Sequence, residues 1–132
     1  NFNVNTKSLL YFARALAPAM IKNKSGSIIV TGNTSALRGK PAFVYFAPTK
    51  AAQRILAQAL ARELGPKGVH VAYILVDAAI DTPRTRPIFA ADKEDIFFCK
   101  PKDIASEIFH VGHQARSAWS FDVEIRPDIE VW

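Results

Sequence analysis

YFAPTK, Tyr45 to Lys50, opens the segment on which the reading of the fold turns. Beyond it, Ala51, Ala52, Ile55, Leu56, Ala59 and Leu60 recur at three- and four-residue steps, the period of an amphipathic helix. Gly65 and Pro66 supply a stop after Leu64. A helix is therefore expected from about Ala42 to Leu64, with Pro48 near its start, where a missing backbone donor matters least. Residues four apart share a helix face, so Phe46 and Lys50 should point the same way.

On either side of this helix lie two short apolar, β-branched runs, SIIVTG at 27–32 and VHVAYILV at 69–76. Both read as strands buried on both faces, the kind found in parallel sheets. Between the first strand and the helix, NTSALRGKPAF is a loop punctuated by polar residues, glycine and proline. Toward the N-terminus, from Asn5 onward, Leu9, Phe12, Ala13, Leu16, Ala17, Met20 and Ile21 mark another amphipathic helix. Pro18 should end or kink it, and KNKSG follows as a polar turn. Toward the C-terminus, DAAIDTPRTRP (77–87) reads as a loop broken by two prolines. KPKDIASEIFHVGHQ (100–114) holds a short helix with Ile104, Ile108 and Val111 on one side and Asp103 complementing the dipole of its first turn. WSFDVEI (119–125) alternates apolar and polar and should be a third strand, with RPDIEVW (126–132) as a tail and Trp119, Phe121 and Trp132 as packing residues.

Alternation of helix and strand predicts an α/β fold with parallel strands joined by right-handed crossovers. Ligands in such sheets sit at the carboxyl ends of the strands, here Gly32 to Ser35, Val76 to Thr82 and Arg126. The chain of 132 residues, 49% hydrophobic, suits one domain with a core. Its net charge of +5 comes from scattered residues, with no run of like charge longer than two, which argues against a nucleic-acid surface. Cys99 is the sole cysteine and cannot close an intrachain disulfide, which suits a reducing compartment such as the cytoplasm. As the only thiol it also reads as a small half-buried apolar residue. No apolar run reaches the roughly 18 residues of a membrane span, and NFNVNTKS is not a signal peptide. His70, His110 and His113 lack the spacing of a metal site. The chain opens on Asn1 rather than methionine, and part of a longer protein is expected.

The order of GSIIVTGNTS, YFAPTKAA, ARELGPKGVHV and IDTP resembles the C-terminal half of a short-chain dehydrogenase/reductase, closely from Asn5 to about Thr82 and more distantly to Trp132. The resemblance implies part of a Rossmann-type doubly wound parallel sheet, here three strands with their crossover helices, in a single domain whose N-terminal half lies outside 1–132. It also implies an NAD or NADP cofactor and a small-molecule carbonyl or alcohol substrate. Of the family's catalytic tetrad, the asparagine matches Asn5, thirteen residues before Pro18, and the lysine matches Lys50. The tyrosine falls on Phe46 and the serine on Asn33, thirteen residues earlier. In the family the serine polarises the substrate oxygen, the tyrosine transfers the proton, and the lysine lowers the tyrosine pKa and binds the nicotinamide ribose. The sequence thereby resembles an atypical group with phenylalanine at the tyrosine position.

Asn33 retains an amide that can donate to a carbonyl oxygen, whereas Phe46 has no proton to give. Tyr45 lies about 100° around the helix from Phe46, so its hydroxyl should leave the cleft. Thr34 and Ser35 lie just beyond Asn33 and are further hydroxyls within reach of it, though poor general acids at an unshifted pKa. Each site residue also has a plainer reading: Asn5 as a helix N-cap, Asn33 as a turn former, Phe46 as core and Lys50 as a solvated charge. In the cofactor loop, the family's proline, glycine and threonine correspond to Asp77, Ala78 and Thr82, with Asp77 alternatively a loop cap. No glycine-rich dinucleotide motif occurs within 1–132, so this chain alone is expected to hold NAD or NADP weakly. A non-catalytic cofactor-binding or scaffold protein is the alternative to an oxidoreductase. Family members pair through the helices containing Asn5 and Lys50, which implies a homo-oligomer, a dimer or tetramer.

Overall fold

The computed structural model describes residues 1–89 and 91–130. Val131 and Trp132, the end of the expected tail, lie outside the described residues, and with them the packing role expected of Trp132. A π-helical turn at Asn3–Lys7 leads into α1 (Ser8–Asn23), β1 (Ser27–Asn33), α2 (Ala47–Leu64) and β2 (His70–Val76). Then come β3 (Ala79–Ile80), α3 (Thr85–Phe89), β4 (Phe98–Cys99), α4 (Pro101–Gly112) and β5 (Asp122–Ile125).

The main sheet runs β1-β2-β5, parallel throughout. This is the expected α/β architecture, with α2 and α4 as the two crossovers. Every residue of β2 is buried, as a central strand covered by helices on both faces requires. Alternate residues serve opposite layers. Tyr73 and Leu75 pack with Leu9 of α1 and Ala57 of α2, while Ala72, Ile74 and Val76 pack with Ile104 and Val111 of α4. Among the described residues no helix is long and apolar enough to cross a membrane.

Several expectations are corrected. Strand β1 is not buried on both faces; only Val30 is fully enclosed, because β1 is an edge of this sheet. Helix α2 begins at Ala47 rather than about Ala42, since Ala42 takes a left-handed φ of 69° in a turn closed by the Phe43 amide and the Lys40 carbonyl. Its inward face is Ala47, Lys50, Gln53, Ala57 and Leu64, and Ile55 and Ala59 of the apolar stripe are exposed. Helix α1 runs through Pro18 to Asn23. Pro18 and Arg14 are both exposed, so the carbonyl that loses its partner there can turn to water. Leu9, Ala13 and Ala17, four apart, make the buried seam of α1, leaving Phe12 and Leu16 exposed. The segment 77–87 is more ordered than a loop, holding β3 and the start of α3, and β3 pairs in parallel with β4. The third strand shortens to Asp122–Ile125 and keeps the alternation. Ahead of it, Trp119 stacks on His70 with ring centroids 4.8 Å apart, and Phe121 packs on the α2 side of the sheet.

One close approach fixes the end of β1. The Tyr73 ring lies across Gly32, and a Cβ on Gly32 would fall 1.8 Å from the phenolic oxygen. Among the described residues the buried hydroxyl has no hydrogen-bond partner, although the Asn33 backbone lies close to it. Burial pushes the phenol up to about 12, opposed by Arg54. A folded pKa above the reference value of 10.0 means that Tyr73 favours the fold below pH 10 and loses that contribution as pH rises through 10 to 12. Denaturant midpoints measured below pH 10 and again between 10 and 12 should therefore fall more steeply for wild type than for Tyr73→Phe. Gly32→Ala should cost about 1–3 kcal/mol by forcing the ring aside. Most of that cost should vanish in a Tyr73→Val background, a non-additivity that a double-mutant cycle reads directly.

Candidate functional site

Parallel register sets the site. Asn33 pairs with Val76, so β1 and β2 end level, and the Asp77 amide continues the ladder to the Ile125 carbonyl at 2.9 Å. Asn33, Asp77 and Arg126 thus leave the sheet along one edge, the carboxyl edge expected to carry a ligand.

Helix α2 begins above that edge. Phe46 is its N-cap, and its carbonyl accepts from the amides of Thr49 at 3.0 Å and Lys50 at 3.2 Å and from the Thr49 hydroxyl at 2.7 Å. The Phe46 ring is half-buried, its centroid 6.2 Å from that of Phe43. Tyr45 is 86% exposed, but it precedes α2, so the helical step of about 100° does not apply to it. Lys50, one turn on, is 7% exposed. Its ammonium donates to the Gln53 side-chain oxygen at 2.5 Å and to the Thr31 carbonyl at 3.3 Å, tying α2 to β1 two residues before Asn33. Burial lowers the Lys50 pKa, because desolvation disfavours the charged form.

Asn5 is not a helix cap. It lies inside the π-helical turn and donates its amide to the Thr49 hydroxyl at 2.9 Å, while the Thr6 hydroxyl donates to the Thr49 carbonyl at 2.9 Å. The N-terminal turn is thereby docked on the first turn of α2. Asn33 does shape a turn, its side-chain oxygen accepting from the Ser35 amide at 3.2 Å. That bond leaves the Asn33 NH2 group directed elsewhere, with no protein acceptor among the described residues.

The structure therefore gathers Asn5, Phe46 and Lys50 around one helical turn, beside the strand end that bears Asn33. The second set of residues sits apart. Ala78 packs into the layer beneath α4. The Thr82 hydroxyl pairs with that of Thr85 at 2.7 Å and accepts the Thr85 amide at 3.0 Å, starting α3. Among the described residues, no side-chain hydrogen bond links Asp77, Ala78 or Thr82 to Lys50.

Sequence reasoning missed Thr49 and Gln53, the buried polar partners of Asn5 and Lys50. Their spacing around Lys50 was the available signal: a run of polar residues on one side of an otherwise apolar helix. It also missed an ion-pair cluster over β3 and β4. Arg86 and Lys100 both bind Asp81, Arg86 also reaches Asp95, and the Arg86 guanidinium lies 4.2 Å above the Phe98 ring. Arg86 first, then Lys100, holds the Asp81 carboxyl well below the usual range. Cys99 is half-buried, and burial pushes its thiol up.

The sequence profile of the family described as short chain dehydrogenase matches residues 1–93. An uncharacterised oxidoreductase of Staphylococcus aureus strain MRSA252 is 29% identical over 125 residues, which are 95% of this chain and 52% of that protein. The chain thus spans about half the length of the curated relatives it matches. A short-chain dehydrogenase from Rhodopseudomonas palustris superposes with a TM-score of 0.75 at 32% identity, covering 96% of this chain and 50% of that one. A 4-hydroxyisoleucine dehydrogenase solved with NADH shares the fold, with a TM-score of 0.78 at 23% identity over 96% of this chain and 56% of that one.

The bonds through Thr49 can be tested for coupling. Asn5→Ala and Thr49→Val should each destabilise by about 1 kcal/mol, and the pair should fall short of additivity by at least about 0.5 kcal/mol. Urea unfolding of the three variants measures this.

Proposed function

From the premise that this chain belongs to the short-chain dehydrogenase family, we infer that the protein is an NAD(P)-dependent oxidoreductase acting on a small carbonyl or alcohol. The chain would be the C-terminal portion of one dehydrogenase domain. The observation that carries this reading is the buried ammonium of Lys50, held against the end of β1 by Gln53 and Thr31.

A test of fit supports a nicotinamide ribose at that place. An ammonium has three protons to donate, and Lys50 uses two on protein acceptors, leaving one for a ribose hydroxyl. By the family resemblance the Thr82 hydroxyl, now paired with Thr85, would meet the carboxamide, and Asp77 leaves the sheet at the edge that carries Asn33. A nicotinamide cofactor, when bound, supplies or accepts the hydride. Around it, Lys50 would orient the ribose, and the Asn33 NH2 group would donate to the substrate oxygen, stabilising charge that develops there. Phe46 would wall the cleft without moving a proton. The proton for the substrate oxygen would then come from solvent, at a cost in rate relative to a positioned acid.

Phe46 itself favours the second reading, a non-catalytic cofactor-binding or scaffold protein. No hydroxyl occupies the tyrosine position, and Tyr45 faces solvent. Exposed Tyr11, Phe12 and Leu16 on α1 and Ile55 on α2 support pairing of these helices in a homo-oligomer under either reading.

Assay of the full-length protein with NAD(P)H and small carbonyls separates the two. We expect slow turnover that Lys50→Ala abolishes and Phe46→Tyr raises about 100-fold. Cofactor binding with no turnover in wild type, and none gained in Phe46→Tyr, would select the scaffold reading.

A further inference from the structure

Beside the first turn of α2 lies a groove of about 570 Å³, a size suited to a small organic molecule. Leu37, Phe43, Val44 and Ala47 provide much of its apolar lining, and Arg38 and Lys40 stand along it. Leu37 and Val44 are 53% and 70% exposed, an apolar surface without a cover. Both cations are exposed and engage in no ion pair among the described residues.

Charge along the chain is divided unevenly. All twelve acidic residues lie at Glu63 or beyond, so the 62 residues that contribute β1, the groove and most of α2 include no carboxylate side chain. The groove's two cations therefore have no acidic neighbour in their own segment; Asp122 and Glu124 reach the adjoining cavity at Leu37, where Arg54 pairs with Asp122, and the N-terminal dipole of α2 adds to the field of Arg38 and Lys40. An apolar cleft with two cations free of ion pairs at its rim discriminates in favour of an amphiphilic anion.

We propose that this groove binds the substrate, and that the substrate class is a small carboxylic acid with an apolar body, its carboxylate held by Arg38 and Lys40. The proposal rests on the oxidoreductase reading for its word substrate, since Ala47 and Ser35 place the groove next to Phe46 and Asn33. An apolar chain lying along Val44 and Phe43 would direct the far end of the molecule toward that cleft. A membrane surface fits less well, because anionic bilayers recruit clusters of about four to eight basic residues, and this rim has two.

The test is calorimetric titration of the full-length protein with octanoate and with octan-1-ol, which match in apolar body and differ in charge. Octanoate should bind at least about tenfold more tightly, and Arg38→Gln/Lys40→Gln should weaken it about tenfold while leaving octanol unchanged. The charge-preserving Arg38→Lys/Lys40→Arg should retain octanoate binding, and raised salt should weaken it. Equal affinity for the two probes, failure of both to bind, or indifference of octanoate to the neutralised pair would overturn the proposal. So would sedimentation showing the groove covered by a second copy of the chain. Because binding is read without turnover, octanoate binding in a protein that reduces no carbonyl would refute the oxidoreductase reading alone.

Discussion

The parallel pairing of β1 with β2 is the constraint from which the rest follows. Seven residue pairs in register bring Asn33 level with Val76, so the chain leaves both strands at the same edge. Parallel pairing also demands a crossover, and α2 is that crossover. Its N-terminus must then start near the strand ends, which is what brings Lys50 to the Thr31 carbonyl. A register slip of one residue would turn Tyr73 away from Gly32 and carry Lys50 off the Thr31 carbonyl.

Buried polar groups define the site more sharply than cavities do. Lys50 can be enclosed because Gln53 and a strand carbonyl accept from its side chain, and burial lowers its pKa because desolvation disfavours the charged form. Thr49 performs the matching task one residue earlier, joining the N-terminal turn to α2. These bonds fix the Lys50 ammonium and leave it one proton to spare. Phe46 brings no hydroxyl to this helical turn, and the buried bonds of Asn5, Thr49 and Lys50 form beside it all the same.

The unequal distribution of charge gives the two ends of the molecule different chemistry. Arg38 and Lys40 stand along the groove without ion pairs among the described residues, whereas the β3–β4 region carries acids in close pairing with Arg86 and Lys100. Those ion pairs hold down a segment that local sequence would leave as a proline-broken loop. Two-residue strands give no periodic signal, and the residues that pair in β3 and β4 are nineteen positions apart, so only the folded chain reveals them.

Local sequence by itself determined the alternation of helix and strand, the full burial of 69–76, the α4 face through Ile104, Ile108 and Val111, and the one-turn spacing that sets Phe46 behind Lys50. These follow from periods and stop signals that each segment carries within itself. Tertiary structure alone decided which side of α2 turns inward. The stripe of Ile55 and Ala59 gives way to Lys50, Gln53 and Ala57, because the sheet offers a strand carbonyl that can satisfy an ammonium, and a polar group that is satisfied can be buried. It also decided that β1 lies at the edge of this three-stranded sheet, that Asn5 reaches Thr49, and that Gly32 must stay bare beneath Tyr73. Each of these depends on a partner far away in the chain, and a partner at that distance leaves no trace in the period of the segment it contacts.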